Sequence, residues 1–296
     1  MKEGGLRQNG FVRFTDKSEP IISIITVVLN NPNGLLKTIR SIIQQNYINL
    51  EVIIIDGGSN NETLNVIRKF NQEIDYWITE KDNGIYDAMN KGIDNSTGNI
   101  IGILNAGDCY YNETINIVSE TFKKNKFSEL VFGDVVMCRT NYNKMYIASV
   151  KKRKFNDGWM PHPAVFIKKK VYRDFGGFDT QLRISSDYEL MLRIKSKINM
   201  VHVDRPLVKM EMVGASTNNL FLKTNEDYHV RKKYGYSILY NISLTVLSIV
   251  SSIISEIIRC IFDLPEFRFE NSWLFSWFLN DENIFFGNHH FLSARK

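Results

Sequence analysis

The sequence predicts an α/β fold: a mostly parallel sheet flanked by helices, followed by a helical, aromatic-rich C-terminal extension. Three observations predict it. Short β-branched runs alternate with amphipathic helical stretches through the first third of the chain, the pattern of successive βαβ units. Three of those runs lead into loops carrying an aspartate, at Asp56, Asp82 and Asp108. From Ser237 onward the alternation gives way to an uncharged, serine-interrupted apolar stretch.

The first run, Ile21-Ile22-Ser23-Ile24-Ile25-Thr26-Val27-Val28-Leu29, lies between Pro20 and Asn30-Asn31-Pro32 and reads as a buried strand. Leu35, Leu36, Ile39, Ile42 and Ile43 then recur at helical spacing, ending near Gln45-Asn46. A strand over 51–55 precedes Asp56-Gly57-Gly58-Ser59-Asn60, and Leu64, Ile67 and Phe70 mark the next helix. Tyr76-Trp77-Ile78 is a short strand leading into Glu80-Lys81-Asp82-Asn83-Gly84. A helix over 85–93 closes at Asn95-Ser96-Thr97-Gly98, and a strand over 100–104 runs toward Asp108. Strands are expected over 130–136 and 164–167, then a turn at Gly176-Gly177-Phe178-Asp179. The helix carrying Tyr188, Leu190, Met191, Leu192 and Ile194 follows; Ser185 or Ser186 can cap it, and Asp187 in its first turn complements the macrodipole. His202, between Val201 and Val203, reads as a strand residue.

Composition bounds the function. The 296 residues, 44% hydrophobic and 23% charged, belong to a folded chain with a sizeable core. The three cysteines, Cys109, Cys138 and Cys260, form neither a CxxC nor a zinc spacing, which predicts a reduced, cytoplasmic setting. Residues 1–20 have no apolar stretch of signal-peptide type and read as a loose polar leader. The net charge of +5 is clustered in Lys151-Lys152-Arg153-Lys154, Lys168-Lys169-Lys170 and Arg231-Lys232-Lys233. Such runs suit anionic partners. The Trp273- and Trp277-bearing tail makes an anionic membrane surface the expected one, and no nucleic acid is expected. The stretch 237–255 barely reaches spanning length, and its serines favour an interfacial or packed helix.

Parallel strands place the Asp56, Asp82 and Asp108 loops on one edge of the sheet, where open α/β sheets bind ligands. Carboxylates there can hold a divalent cation on a diphosphate, accept hydrogen bonds from a ribose or base, or deprotonate an attacking hydroxyl. Together these operations amount to transfer from a nucleotide-activated donor. The chain has no GxxxxGK[ST], no GxGxxG after its first strand and no GxSxG, which argues against P-loop phosphotransferases, dinucleotide oxidoreductases and nucleophile-elbow hydrolases.

The ordered segments Ser23 to Asn30, Ile54 to Ser59, Glu80 to Gly92 and Leu104-Asn105-Ala106-Gly107-Asp108 resemble the family 2 glycosyltransferases, in the branch of bacterial colanic-acid, exopolysaccharide and O-antigen enzymes. The resemblance covers about residues 20–220. It implies a GT-A-type, Rossmann-like sheet. It also implies that the Thr26, Val28 and Asn30 segment lines the nucleotide, that Asp56 contacts the base, and that Asp82 and Gly84 lie near base and ribose. Lys91 and Asn105 join this donor-binding set. Asp108 matches the last acid of the family's metal-binding motif, implying Mg²⁺ or Mn²⁺; Asn105 and Gly107 stand where further acids are common. Asp187 matches the catalytic base, with Glu189 as its rival on another helix face. Trp159 and His162 are candidates for the acceptor side. The QxxRW motif of processive members is absent, so one sugar is expected to be added.

The expected organisation is a leader over 1–20, a transferase domain over 21–235 and a membrane-associating or packing extension over 236–296. The donor-binding half of the domain is expected over 21–120 and the acceptor half over 121–235. The expected activity is inverting, non-processive transfer from a nucleotide-diphosphate sugar to a glycan, polyprenyl-diphosphate-linked, in surface polysaccharide assembly at the inner membrane face. A degenerate nucleotide-sugar- or glycan-binding protein and a nucleotidyltransferase are the alternatives.

Overall fold

Apolar runs with no polar face belong to strands covered by helices on both sides, and the centre of this sheet is built from such runs. The computed structural model describes residues 2–10, 18–139, 144–148, 160–211 and 219–262. In the first of two units, Met1–Thr217, the strands are β1 (Lys2–Gly4), β2 (Ile22–Val28), β3 (Leu50–Asp56), β4 (Tyr76–Thr79), β5 (Ile100–Ile103), β6 (Cys109–Tyr110), β7 (Leu130–Arg139), β8 (Lys144–Ala148), β9 (Val165–Lys168) and β10 (Met200–Glu211). They form one sheet in the order β1-β4-β3-β2-β5-β9-β7-β10-β6, with β8 paired to β7.

The predicted parallel arrangement holds across β2 to β5. β2 runs parallel to β3 and β5, and β3 parallel to β4. β9 enters antiparallel between β5 and β7, while β10 runs parallel to β7. Alternation along β2 splits the core between two faces. Ile22, Ile24 and Val28 pack with Leu35 and Ile39, whereas Ile25 and Val27 pack with Met89, Leu190 and Ile194. The helices supplying those faces are α1 (Pro32–Ile43), α2 (Asn61–Lys69), α3 (Ile85–Asn95), α4 (Thr114–Lys124), α5 (Lys169–Phe175) and α6 (Ser186–Ile194). Asn31 and Asn60 cap α1 and α2, accepting from Gly34 N at 2.9 Å and Thr63 N at 3.2 Å.

Three expectations need revision. Lys2–Gly4, in the stretch read as a loose leader, adds an antiparallel edge strand to β4. Its stability comes from main-chain pairing and from Gly4, where a Cβ would lie 2.6 Å from the Trp77 ring, so no apolar pattern announced it. The division at 235/236 falls inside the second unit, Asn218–Lys296, between α7 (Leu220–Lys233) and α8 (Ile238–Phe262). The Lys168-Lys169-Lys170 run is occupied within the fold. Lys168 donates to Lys126 O at 3.2 Å, Lys169 to Ser96 O at 2.6 Å, and Lys170 pairs with Glu129.

In the second unit, Arg231 is buried and donates to Asn241 Oδ1 at 2.7 Å and Thr245 Oγ1 at 3.1 Å, joining α7 to α8. Leu239, Ile242, Val246, Ile249 and Val250 form an exposed apolar stripe on α8. No helix among the described residues is long and apolar enough to cross a membrane.

The buried Glu51 of β3 fastens the edge strand to the centre. It accepts from Ser23 Oγ (2.5 Å), Thr97 Oγ1 (2.5 Å) and Thr97 N (2.8 Å), and pairs with Arg7. Burial pushes its carboxyl up, but these donors together outweigh burial and hold it below the ordinary glutamate value. A depressed folded value stabilises the fold above the unfolded value, about 4.3, and that contribution is lost as pH falls through the folded value. Between about pH 6 and pH 3 the wild type should therefore lose melting temperature more steeply than Glu51→Gln. Parallel curves in a thermal-melt series would contradict this.

Candidate functional site

Because β2, β3, β4 and β5 share one direction, four loops meet at their C-terminal ends. Main-chain bonds continue the sheet into this edge: Gly57 N to Val28 O at 3.0 Å, Glu80 N to Asp56 O at 3.0 Å and Ala106 N to Val27 O at 3.3 Å. Side chains then lace the loops together. Asn30, at φ 50°, receives Asn60 N on Oδ1 at 2.9 Å while its own N–H donates to Ser59 Oγ at 2.7 Å. Asn31 Nδ2 donates to Ala106 O at 3.1 Å. Gly57 lies against Asp82: a Cβ there would sit 2.4 Å from Asp82 Oδ2 and would have to displace that side chain. Asp56, Asp82 and the 105–108 turn thus belong to one continuous rim.

The proposed donor-side residues occupy different depths of it. Thr26 and Val28 are buried within β2, and Thr26 Oγ1 has no hydrogen-bond partner among the described residues. Asn30 is exposed at the rim. Asp56 is fully buried; its Oδ2 takes the Thr79 hydroxyl, Gly58 N at 3.3 Å and Ser59 N at 3.0 Å. Its Oδ1 is buried without a partner among the described residues. Asp82 Oδ1 accepts from Gly84 N at 3.1 Å, and Gly84, at φ 121°, opens α3. Lys91 lies further along α3, its ammonium held by Glu80 at 2.8 Å and Asp87 at 3.3 Å.

Asp108 follows a turn built on α1. Thr38 Oγ1 donates to Asp108 O at 2.7 Å and accepts from Gly107 N at 3.0 Å. The Asp108 side chain is buried, with Oδ1 accepting from Glu211 N at 3.1 Å. Burial pushes its carboxyl up to about 7; the Glu211 amide opposes this and the Glu211 carboxylate reinforces it. Asn105 Oδ1, three residues earlier, is buried without a partner among the described residues. Hard oxygen donors of this kind fit Mg²⁺ or Mn²⁺. Among the described residues no three His, Cys, Asp or Glu side chains form a metal-holding group. Mg²⁺ is commonly held by only one or two carboxylates plus substrate phosphates, so this donor set fits the group.

The proposed base, Asp187, lies in the first turn of α6. Its Oδ1 accepts from Tyr188 N at 2.8 Å and, at 3.1 Å, from the Tyr86 hydroxyl, whose one proton it shares with Ile184 O at 2.6 Å. Burial, reinforced by the Asp187 charge, drives the Tyr86 phenol far above its ordinary value, so it remains a hydroxyl. Tyr86 stacks on Phe178 with ring centroids 5.5 Å apart, and His162 meets Phe178 edge-on at 5.3 Å. Burial pulls the His162 imidazole below its ordinary value against the nearby Asp187 charge. A cavity of about 300 Å³ adjoins this cluster, lined by residues of the α3 N-terminus, Gly84 and Tyr86 among them, and by Thr180, Leu182 and Arg183.

The predicted serine capping of α6 does not occur. Ser185 stands at the cap with ψ 20° rather than extended, makes no side-chain cap bond, and Ser186 Oγ is buried without a partner among the described residues. Glu189 is buried and paired with Arg193, whose Nη1 also donates to Phe175, Gly176 and Gly177 carbonyls. Trp159 lies outside the described residues. Sequence reasoning missed Tyr86, Lys37 and Glu211. Tyr86 stood inside a quoted segment, but its reach to Asp187 spans 101 positions and has no local signature.

Comparison with known proteins follows the same edge. Residues 23–178 match the profile of Glycosyl transferase family 2. A PGL/p-HBAD biosynthesis glycosyltransferase of Mycobacterium bovis is 30% identical over 186 residues, 62% of this chain and 72% of its own. An uncharacterised glycosyltransferase of Mycobacterium tuberculosis is 28% identical over 229 residues, 74% and 87% of the two chains. Among solved structures, Staphylococcus aureus TarS 1-349 in complex with UDP-GlcNAc aligns with TM-score 0.58 at 14% identity, covering 86% of this chain and 75% of that one. The mannosyltransferase PcManGT from Pyrobaculum calidifontis, in complex with GDP-Man and Mn²⁺, aligns with TM-score 0.58 at 14% identity, over 77% and 70%. The shared fold, the profile match and the mycobacterial relatives make this chain a glycosyltransferase of family 2.

Proposed function

We propose that the chain transfers one sugar, with inversion, from a nucleotide-diphosphate sugar to a hydroxyl of a polyprenyl-diphosphate-linked glycan. The observation that carries the donor half is Asp56, a buried carboxylate with one oxygen saturated by three donors and the other unpartnered among the described residues. An unsatisfied buried acceptor is costly, and a base N–H arriving at this rim would satisfy it. Asp82 and Gly84 would then flank the ribose, and the cavity beside Tyr86 would receive the sugar. Asp108 with Asn105 would hold a divalent cation, which when bound neutralises charge on the departing diphosphate. Asp187 accepts the proton of the attacking hydroxyl, with Tyr86 steadying its carboxylate and His162, kept neutral, lining the acceptor side.

The exposed apolar stripe of α8 supports peripheral contact with the inner face of the cytoplasmic membrane, where such acceptors lie. The first two basic runs add little to this reading, since one is occupied and the other, 151–154, lies outside the described residues.

Three outcomes test the proposal. In a thermal-shift panel of nucleotide sugars with and without Mn²⁺, at least one donor should raise the melting temperature, more so with the metal; a flat panel would remove the donor assignment. Asp187→Asn should melt like the wild type yet lose transfer by about 10²- to 10⁴-fold, the usual worth of a general base. Full turnover in that variant would return Asp187 to a purely helix-terminal role. Truncation after Gly235 should reduce co-sedimentation with anionic vesicles, and an unchanged pellet fraction would instead favour packing of the extension.

A further inference from the structure

We propose that Glu211 is a second carboxylate ligand for the divalent cation at Asp108, and that Lys37 holds its place when the cation is absent. The inference rests on the metal reading of Asp108 given above. Three observations carry it. The end of β10 is locked to the Asp108 turn, because Glu211 N donates to Asp108 Oδ1 at 3.1 Å. The Glu211 side chain folds back over that turn: a Cβ on Gly107 would lie 3.5 Å from Glu211 Oε2, and Gly107, at φ 117°, leaves the space open. The other oxygen, Oε1, takes Lys37 Nζ at 2.7 Å.

Two carboxylates side by side at a ligand edge repel unless a cation lies between them. Lys37 supplies a single positive charge from α1, and half of its side chain is exposed, so the pair is a weakly held surface one. A divalent cation binds two carboxylates together far better than an ammonium does, with oxygen ligands at short range. Glu211 would exchange Lys37 for the cation, and the Lys37 ammonium would be released. This places the second acid in space, at the end of β10, while Asn105 and Gly107 occupy the neighbouring positions in sequence.

The test measures Mn²⁺ binding to the full chain by EPR in the presence of UDP, with GDP as the second nucleotide. Melting temperatures confirm that each variant is folded. Asp108→Asn should abolish protein-bound Mn²⁺. Glu211→Gln should weaken binding by about tenfold or more, as expected when a charged oxygen ligand is removed. Lys37→Met, which removes the competing cation, should tighten it. Loss of binding in Asp108→Asn with unchanged affinity in Glu211→Gln overturns this inference alone. Weakening by Glu211→Gln and Lys37→Met alike would mark the pair as a brace between α1 and β10, and also overturns it. Unchanged Mn²⁺ binding in Asp108→Asn overturns the metal reading itself.

Discussion

The parallel pairing of β2 with β3 on one side and β5 on the other is the constraint on which the site depends. It fixes Val28 opposite Asp56 and Ile25 opposite Ile103, so the loops beyond them emerge at one level. A one-residue slip of either neighbour would exchange the side chains of its two buried faces and misfit the packing on both. The fully buried isoleucines of β2 and β3 make that slip costly, and so hold the rim in register. The Asn30, Asn31 and Thr38 side chains then set the loops to hydrogen-bonding accuracy.

A second element, α3, joins the two sides of the proposed site. Its N-terminus carries Gly84 on the donor side, Tyr86 reaches Asp187, and Asn90 exchanges hydrogen bonds with Phe178 at 2.8 and 2.9 Å. The Gly176-Gly177 turn is held from the opposite direction by Arg193 of α6, itself fixed by Glu189. The proposed base therefore sits on α6, hydrogen-bonded to α3, rather than on a loop. That suits a group whose position must be set before its proton transfer.

Much of this was legible in the chain because it is written locally. β-branched runs and helical spacing identified β2 to β5 and α1 to α3, and parallel strands brought Asp56, Asp82 and Asp108 to one edge. What was not legible depends on partners far apart in sequence. The edge strand at Lys2–Gly4 has main-chain pairing and a glycine contact in place of an apolar pattern. The acceptors that take the Lys168–Lys170 ammonium groups likewise have no local signature. Glu211 follows Asp108 by 103 positions, so only the fold shows that the two meet.

The central claim is that the carboxylate rim and Asp187 act together in one displacement at the anomeric carbon. The anomeric configuration of the transferred sugar, read by proton NMR against that of the donor that binds, tests it most directly. A single displacement by a hydroxyl that Asp187 deprotonates predicts the opposite configuration in the product. Retention would contradict the account, since it requires a second displacement or front-face attack for which Asp187 is given no part.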